Sequence, residues 1–103
     1  MIRLTLHETD GLLTGFECRG HAGFAASGQD VVCAAVSILT TTCVNALETV
    51  AGVIPEVKVS SGRMRVRVPA DAGRDAQVIL RAMRQGLRDL AKEYPRYIQF
   101  VER

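Results

Sequence analysis

A chain of 103 residues, 48% hydrophobic and 23% charged, has the length of one domain and the balance of an ordinary soluble globular protein. A net charge of +2 is too small to argue by itself for nucleic acid. No apolar run is read as approaching the roughly 18 residues of a membrane span, and the alternating, charged start "MIRLTLHETDG" is unlike a signal peptide. The expected compartment is therefore the cytoplasm, with no membrane partner. Three cysteines, Cys18, Cys33 and Cys43, are an odd number for a reducing compartment and argue against a disulfide framework, so each thiol needs its own reason. With no tryptophan and five aromatics, the core must be built from Val, Leu, Ile and Ala.

Ile2, Leu4 and Leu6 alternate with Arg3, Thr5 and His7, which predicts a half-buried strand. Asp10-Gly11 supplies the positive φ of a tight hairpin. A second strand follows over 12–20, with Thr14, Phe16 and Cys18 on one face and Leu13, Glu17 and Arg19 on the other; Gly15 weakens or bulges it. From Asp30 to Val50 the period becomes helical. Val32, Ala35, Val36, Leu39, Cys43, Ala46, Leu47 and Val50 share one face, and Ser37, Thr41, Asn45 and Glu48 lie opposite. Asp30 suits the N-cap, and Gly52 and Pro55 end the helix. "EVKVS" and "RMRVRV", joined by Ser60-Ser61-Gly62, read as a second hairpin. A second helix is expected over 71–93, its stripe made by Ala76, Ile79, Leu80, Met83, Leu87, Leu90 and Tyr94. "YIQFVE" reads as a last strand. The order ββαββαβ, with no linker or repeat, predicts a single α+β domain over 1–103 in two layers: an antiparallel sheet with two helices packed on one face.

The chemistry is concentrated in "GHAGFAASGQDVVCAAVS", residues 20–37. His21 follows a strand, and Cys33 falls in the first turn of a helix capped by Asp30. A helix N-terminus favours a thiolate, and its unpaired N–H groups can hold an oxyanion. The eleven residues between His21 and Cys33 leave ample chain for the ring to fold back onto the sulfur. Gly20, Gly23, Ser27 and Gly28 give a loose loop that an extended peptide could enter. Read from the residues alone, Cys33 is either an inert helix cysteine or a thiol nucleophile. Asp30, Cys33 and Ser37 share one side of the helix at i, i+3 and i+7. Asp30 either caps the helix or orients His21. Ser37 either bonds the thiolate or substrate, or bonds back to a carbonyl one turn earlier.

The pattern G-H-A…G-x-D-x-V-C-A-A-V-S closely resembles the signature of the ribosomal-processing cysteine protease family, Prp. It is carried by Gly20, His21, Ala22, Gly28, Asp30, Val32, Cys33, Ala34, Ala35, Val36 and Ser37, and length and element order agree along the chain. The resemblance implies an endopeptidase that removes the N-terminal extension of a large-subunit ribosomal protein precursor. It implies a catalytic dyad of His21 and Cys33; Asp30 and Ser37 are the candidate supporting residues beside it. It also implies a homodimer. Gly20, Ala22, Gly23, Phe24 and Gly28 form the expected substrate loop, Phe24 and Val31 offering apolar contact. Ala34, Thr40 and Thr41 would permit close helix packing between subunits.

Other residues carry less. Cys43 and Cys18 read as core. His7, Cys18, His21 and Cys33 lack any paired metal-ligand spacing, so no metal or other cofactor is expected. Arg63, Arg65 and Arg67 share a strand face, and Arg74, Arg81, Arg84, Arg88 and Lys92 share a helix face. Solvated faces are the usual explanation of such runs. Without interleaved aromatics no DNA partner is expected, while a contact with the ribosome stays open. The competing reading is a non-enzymatic, ribosome-associated binding module that uses these basic faces.

Overall fold

Asp10 and Gly11, with φ of 53° and 79°, close the first hairpin, the geometry that the right-handed twist of two adjoining strands requires of a two-residue turn. The strands are β1 (Ile2–Thr9) and β2 (Leu12–Arg19), followed by α1 (Val31–Thr49), β3 (Glu56–Ser60), β4 (Arg63–Arg67), α2 (Arg74–Glu93) and β5 (Ile98–Glu102). The computed structural model describes residues 1–21, 23 and 30–103. The order is the expected ββαββαβ, and the α+β architecture is as predicted.

The five strands form one sheet in the order β3-β4-β2-β1-β5. All pairings are antiparallel except β1–β5, which is parallel and makes the sheet mixed. The reason is directional. β4 and β1 both run opposite to β2, so they run the same way. α2 carries the chain back along the sheet, and β5 sets out again in the direction of β4. Docking on the free edge of β1 therefore makes it parallel. Local alternation carries no information about this long-range pairing.

β2 contains an irregularity that changes which side chains reach the core. The register with β1 shifts between His7, opposite Gly15, and Glu8, opposite Leu13, so Thr14 is the extra residue of a bulge. The alternation is reset, and Leu13 joins Phe16 in the core, each 1% exposed. Leu13 thus lies on the core face and Thr14 does not, contrary to the strict period of two. The backbone of Leu13 is met by a side chain. Gln77 of α2 accepts from its N–H and donates to its C=O, both at 2.8 Å. Gln77 is 8% exposed, and burial of its amide is matched by these two bonds. Gly15 is needed for close approach, because a Cβ there would collide with the Val66 carbonyl of β4.

Both helices share one hydrophobic cluster with the sheet. Val32, Val36, Cys43 and Leu47 come from α1, and Ala76, Leu80, Met83 and Leu87 from α2. They meet Ile2, Leu4, Leu6 and Phe16. Gly86 lets the helices approach: a Cβ there would lie 3.0 Å from both terminal carbons of Leu39. The α1 stripe differs from expectation at two points. Thr40 is buried, its hydroxyl donating to the Val36 carbonyl at 2.9 Å, so it is unavailable for packing between subunits. Val50 is 67% exposed. α2 begins at Arg74 rather than Asp71. Pro69 accepts a turn bond from Ala72, and Gly73 at φ 102° stands at the cap, a conformation that cannot continue a helix backwards.

α1 also corrects the reading of hydropathy. Its 19 residues, of mean hydropathy 1.6, are long and apolar enough to cross a membrane by length and composition. Interspersed threonines hide this from a search for an unbroken apolar run. About 28% of that stretch is buried, and its buried stripe of Val32, Val36, Cys43 and Leu47 is part of the shared core.

Replacing Gln77 with Leu keeps the bulk but removes both bonds to Leu13. Two backbone groups at the bulge are then left without partners, at about 1–3 kcal/mol each. The Gln77→Leu protein is expected to lose about 2–4 kcal/mol of unfolding free energy, measured by urea denaturation. An unchanged midpoint would show that the bulge does not depend on the amide.

Candidate active site

The C-terminal end of β2 delivers His21 through a constrained glycine. Gly20 has φ 89°, and a Cβ on it would strike the Met1 carbonyl. Its N–H donates to the Gly62 carbonyl at 2.8 Å, tying the end of β2 to the turn between β3 and β4. His21 is exposed, and its Nε2 lies beside that turn, 3.9 Å from where a Cβ on Gly62 would stand. Only glycine suits Gly62, whose φ is 69°. From the sequence the second hairpin carries a basic face but no expected place beside His21. Its contact with His21 is long-range, and the sole signal in the sequence is the glycine of "SSG".

The start of α1 is built by Asp30. Its backbone is extended, and its carboxylate accepts from the N–H groups of Val32 and Cys33, each at 3.0 Å. This is the N-cap geometry the sequence suggested. It also corrects one expectation. The Asp30 carbonyl takes the N–H of Ala34 at 3.1 Å, so the N–H groups of residues 32–34 are all engaged by Asp30. They stabilise the helix rather than standing ready for an oxyanion.

Cys33 is half-buried at the edge of the core. Cys18 comes close to it from β2. Burial pushes the Cys18 thiol up to about 11, with the nearby Cys33 adding a smaller push. Strand end and helix start thus bring two of the three cysteines within electrostatic reach, a convergence the separate readings of these residues missed. Burial alone pushes Cys43 up to about 12. At neutral pH both remain protonated thiols. Ser37 is exposed, and its carbonyl accepts from Thr40 at 3.3 Å. Gly23 is exposed with φ 70°. Ala22, Phe24, Ser27 and Gly28 lie outside the described residues. Val31, at the mouth of the helix, is 56% exposed. The structure therefore joins Asp30 to Cys33, sets Cys18 near them, and places His21 at the Gly62 turn.

The family model described as cysteine protease Prp matches residues 1–99. The chain belongs to the cysteine protease Prp family. It is 32% identical over 101 residues to the ribosomal processing cysteine protease Prp of Bacillus subtilis (strain 168), covering 91% of this chain and 90% of that one. The fold matches the essential ribosomal processing protease Prp of S. aureus in complex with a covalently linked product peptide. The TM-score is 0.95, at 27% identity over all of both chains. SMU.848 from Streptococcus mutans matches with a TM-score of 0.87, at 30% identity over 99% of this chain and 93% of that one. As a Prp protein the chain is a cysteine protease and a hydrolase, which sets aside the reading as a non-enzymatic binding module.

Burial makes the Cys18 and Cys43 thiols less reactive. Brief alkylation of the folded Prp protein at about pH 7 is expected to modify Cys33 first. Cys18 and Cys43 should react only after unfolding, as followed by peptide mass spectrometry. Modification of Cys43 or Cys18 ahead of Cys33 would contradict this ordering.

Proposed function

We propose that this protein removes the N-terminal extension of a large-subunit ribosomal protein precursor, with Cys33 as nucleophile and His21 as general acid and base. The observation that carries the reading is the coincidence of family and motif. A cysteine protease needs a thiol; burial pushes those of Cys18 and Cys43 up, and the family motif falls on Cys33. Support also comes from the covalently linked product peptide of the S. aureus relative, since a covalent peptide adduct is what nucleophilic catalysis passes through.

In the proposed reaction the Cys33 sulfur attacks the scissile carbonyl carbon. The tetrahedral intermediate collapses with cleavage of the C–N bond, and the His21 imidazolium gives its proton to the departing amine. Water then adds to the thioester as His21 takes its proton. The C–S bond breaks, releasing the carboxylate product and regenerating the thiolate. The oxyanion needs donors other than the N–H groups of residues 32–34, which Asp30 holds. Asp30 acts by fixing the start of α1 and hence the Cys33 sulfur. Ser37, one turn on, faces solvent and is assigned no step. The exposed loop residue Gly23 and the exposed Val31 suit an extended peptide laid across the helix mouth.

The working form is proposed to be a cytoplasmic homodimer. Its support is the outer side of α1, where Ile38 is 64% exposed and small residues such as Ala34 and Thr41 also face outward.

Cys33→Ala is expected to abolish cleavage of a peptide spanning the extension junction while leaving the circular dichroism spectrum and melting temperature close to wild type. His21→Ala should lower kcat by at least about 100-fold. Residual full activity in Cys33→Ala would remove the assignment. Asp30 offers a sharper pair. Asp30→Ala should cost about 1 kcal/mol of stability and reduce cleavage, whereas Asp30→Asn, which still caps, should restore both. Loss of cleavage in a normally stable Asp30→Asn protein would instead give the carboxylate charge a direct role on His21.

A further inference from the structure

The sheet has two faces, and the helices cover only one. On the other, the register sets Arg63, Arg19 and Arg3 directly side by side across β4, β2 and β1. All three are exposed. Like charges directly opposite on neighbouring strands are destabilising, and this row contains two such pairs. The next row sets Lys58 and Arg65 beside Glu17, and the row after it sets Arg67 beside Glu56, with His7 beyond Gly15. Arg103 joins Arg3 and Arg19 around a shallow depression of about 310 Å³ on the same face. A second depression, of about 410 Å³, is shared by Arg65 and Arg67, and His7 and Glu17 line both.

The charge balance is lopsided. This face carries seven of the 13 Lys and Arg residues and two of the 11 acids, a side-chain charge of +5, so the rest of the chain is −3 within a net +2. Ion pairing is partial on both sides, and off the open face Arg74, Arg81, Lys92 and Arg96 have no carboxylate partner among the described residues. On the helix side, Arg84 reaches Glu8 at 2.8 Å and Arg88 reaches Glu102 at 2.6 Å. On the open face Glu17 serves both Arg63 and Arg65, at 2.9 and 3.4 Å, and Glu56 reaches Lys58 at 3.5 Å. Among the described residues Arg3, Arg19 and Arg67 pair with no carboxylate.

We propose that this open sheet face binds the phosphate backbone of RNA. The partner is identified by chemistry. Arginine forks match phosphate oxygens, and a backbone contact asks for charge without apolar anchors. The face supplies arginines interspersed with Thr5, His7, Gln99 and Val101, and no Phe, Tyr or Trp, so it lacks the large stacking platform that single-stranded bases use and the buried aromatic anchor of a protein interface. Recognition is accordingly of backbone rather than sequence. A second copy of the chain is disfavoured, because two-fold apposition would set the arginine row against itself. The choice of RNA among phosphate polymers rests on the ribosomal processing role, while the binding itself does not depend on the catalytic reading.

The test is fluorescence anisotropy of the full-length protein with a labelled RNA hairpin over a range of salt concentrations. Affinity should fall with salt. Arg3→Gln/Arg19→Gln should weaken binding by about tenfold or more and flatten the log–log salt slope by about 2. Arg74→Gln/Arg81→Gln, on the helix side, should leave both unchanged. Cleavage of a short peptide by Arg3→Gln/Arg19→Gln should equal wild type, so failure of the RNA surface and failure of the protease reading are separable. Absence of RNA binding at low salt, or equal loss in the helix-side variant, would overturn the proposal. So would displacement of the RNA by poly-glutamate at equal total charge, which would assign the face to an acidic polypeptide.

Discussion

The arrangement depends on how β2 is held at the centre of the sheet. It pairs with β4 on one side and β1 on the other, carries the bulge at Thr14, and ends at the residue that positions His21. Gln77 of α2 makes the bulge affordable by bonding both backbone groups of Leu13. Because the bulge resets the alternation, Leu13, Phe16 and Cys18 all face the helices, while Glu17 and Arg19 face outward. One side of a single strand thus contributes the core and the thiol beside Cys33. The other side contributes the charged surface.

Much of this was legible in the sequence, and the failures have specific causes. Asp10-Gly11, the helix from Asp30 and the two hairpins follow from short-range pattern and turn chemistry, which one sequence displays fully. Leu13 was placed on the wrong face because a bulge breaks the period of two without leaving a residue signature; Gly15, its neighbour, was the only hint. α2 begins three residues after the expected Asp71 because the positive-φ backbone at Gly73 decides the boundary. The parallel pairing of β5 follows from the directions of four other elements and cannot appear in a local window. At the site, the cap at Asp30 was legible. Its consequence, that the N–H groups of residues 32–34 are already engaged, needs distances.

The same cap shows two uses of a helix start competing. A carboxylate at the N-cap gains the first-turn donors and fixes the helix, while an oxyanion would need those donors for itself. In this chain the helix has them. The backbone at Cys33 is therefore fixed by the bond from its own N–H to Asp30. Gly20 does the equivalent for His21: its left-handed backbone and the bond to Gly62 fix where the strand ends. Both candidate groups are aimed by backbone constraints one to three residues away.

The two faces of the sheet answer different demands. On the helix side Arg84 and Arg88 are each matched to a carboxylate from the β1 or β5 side, though Arg74 and Arg81 are matched to none among the described residues. Across β4, β2 and β1 the chain lines up three arginines at adjacent strand positions, with only Arg63 compensated. Folding gains nothing from that row, since a threonine or glutamine at Arg19 would serve the sheet better by removing both repulsive pairs. A row of like charges that works against the stability of the fold is the physical signature of a surface kept for something outside the chain.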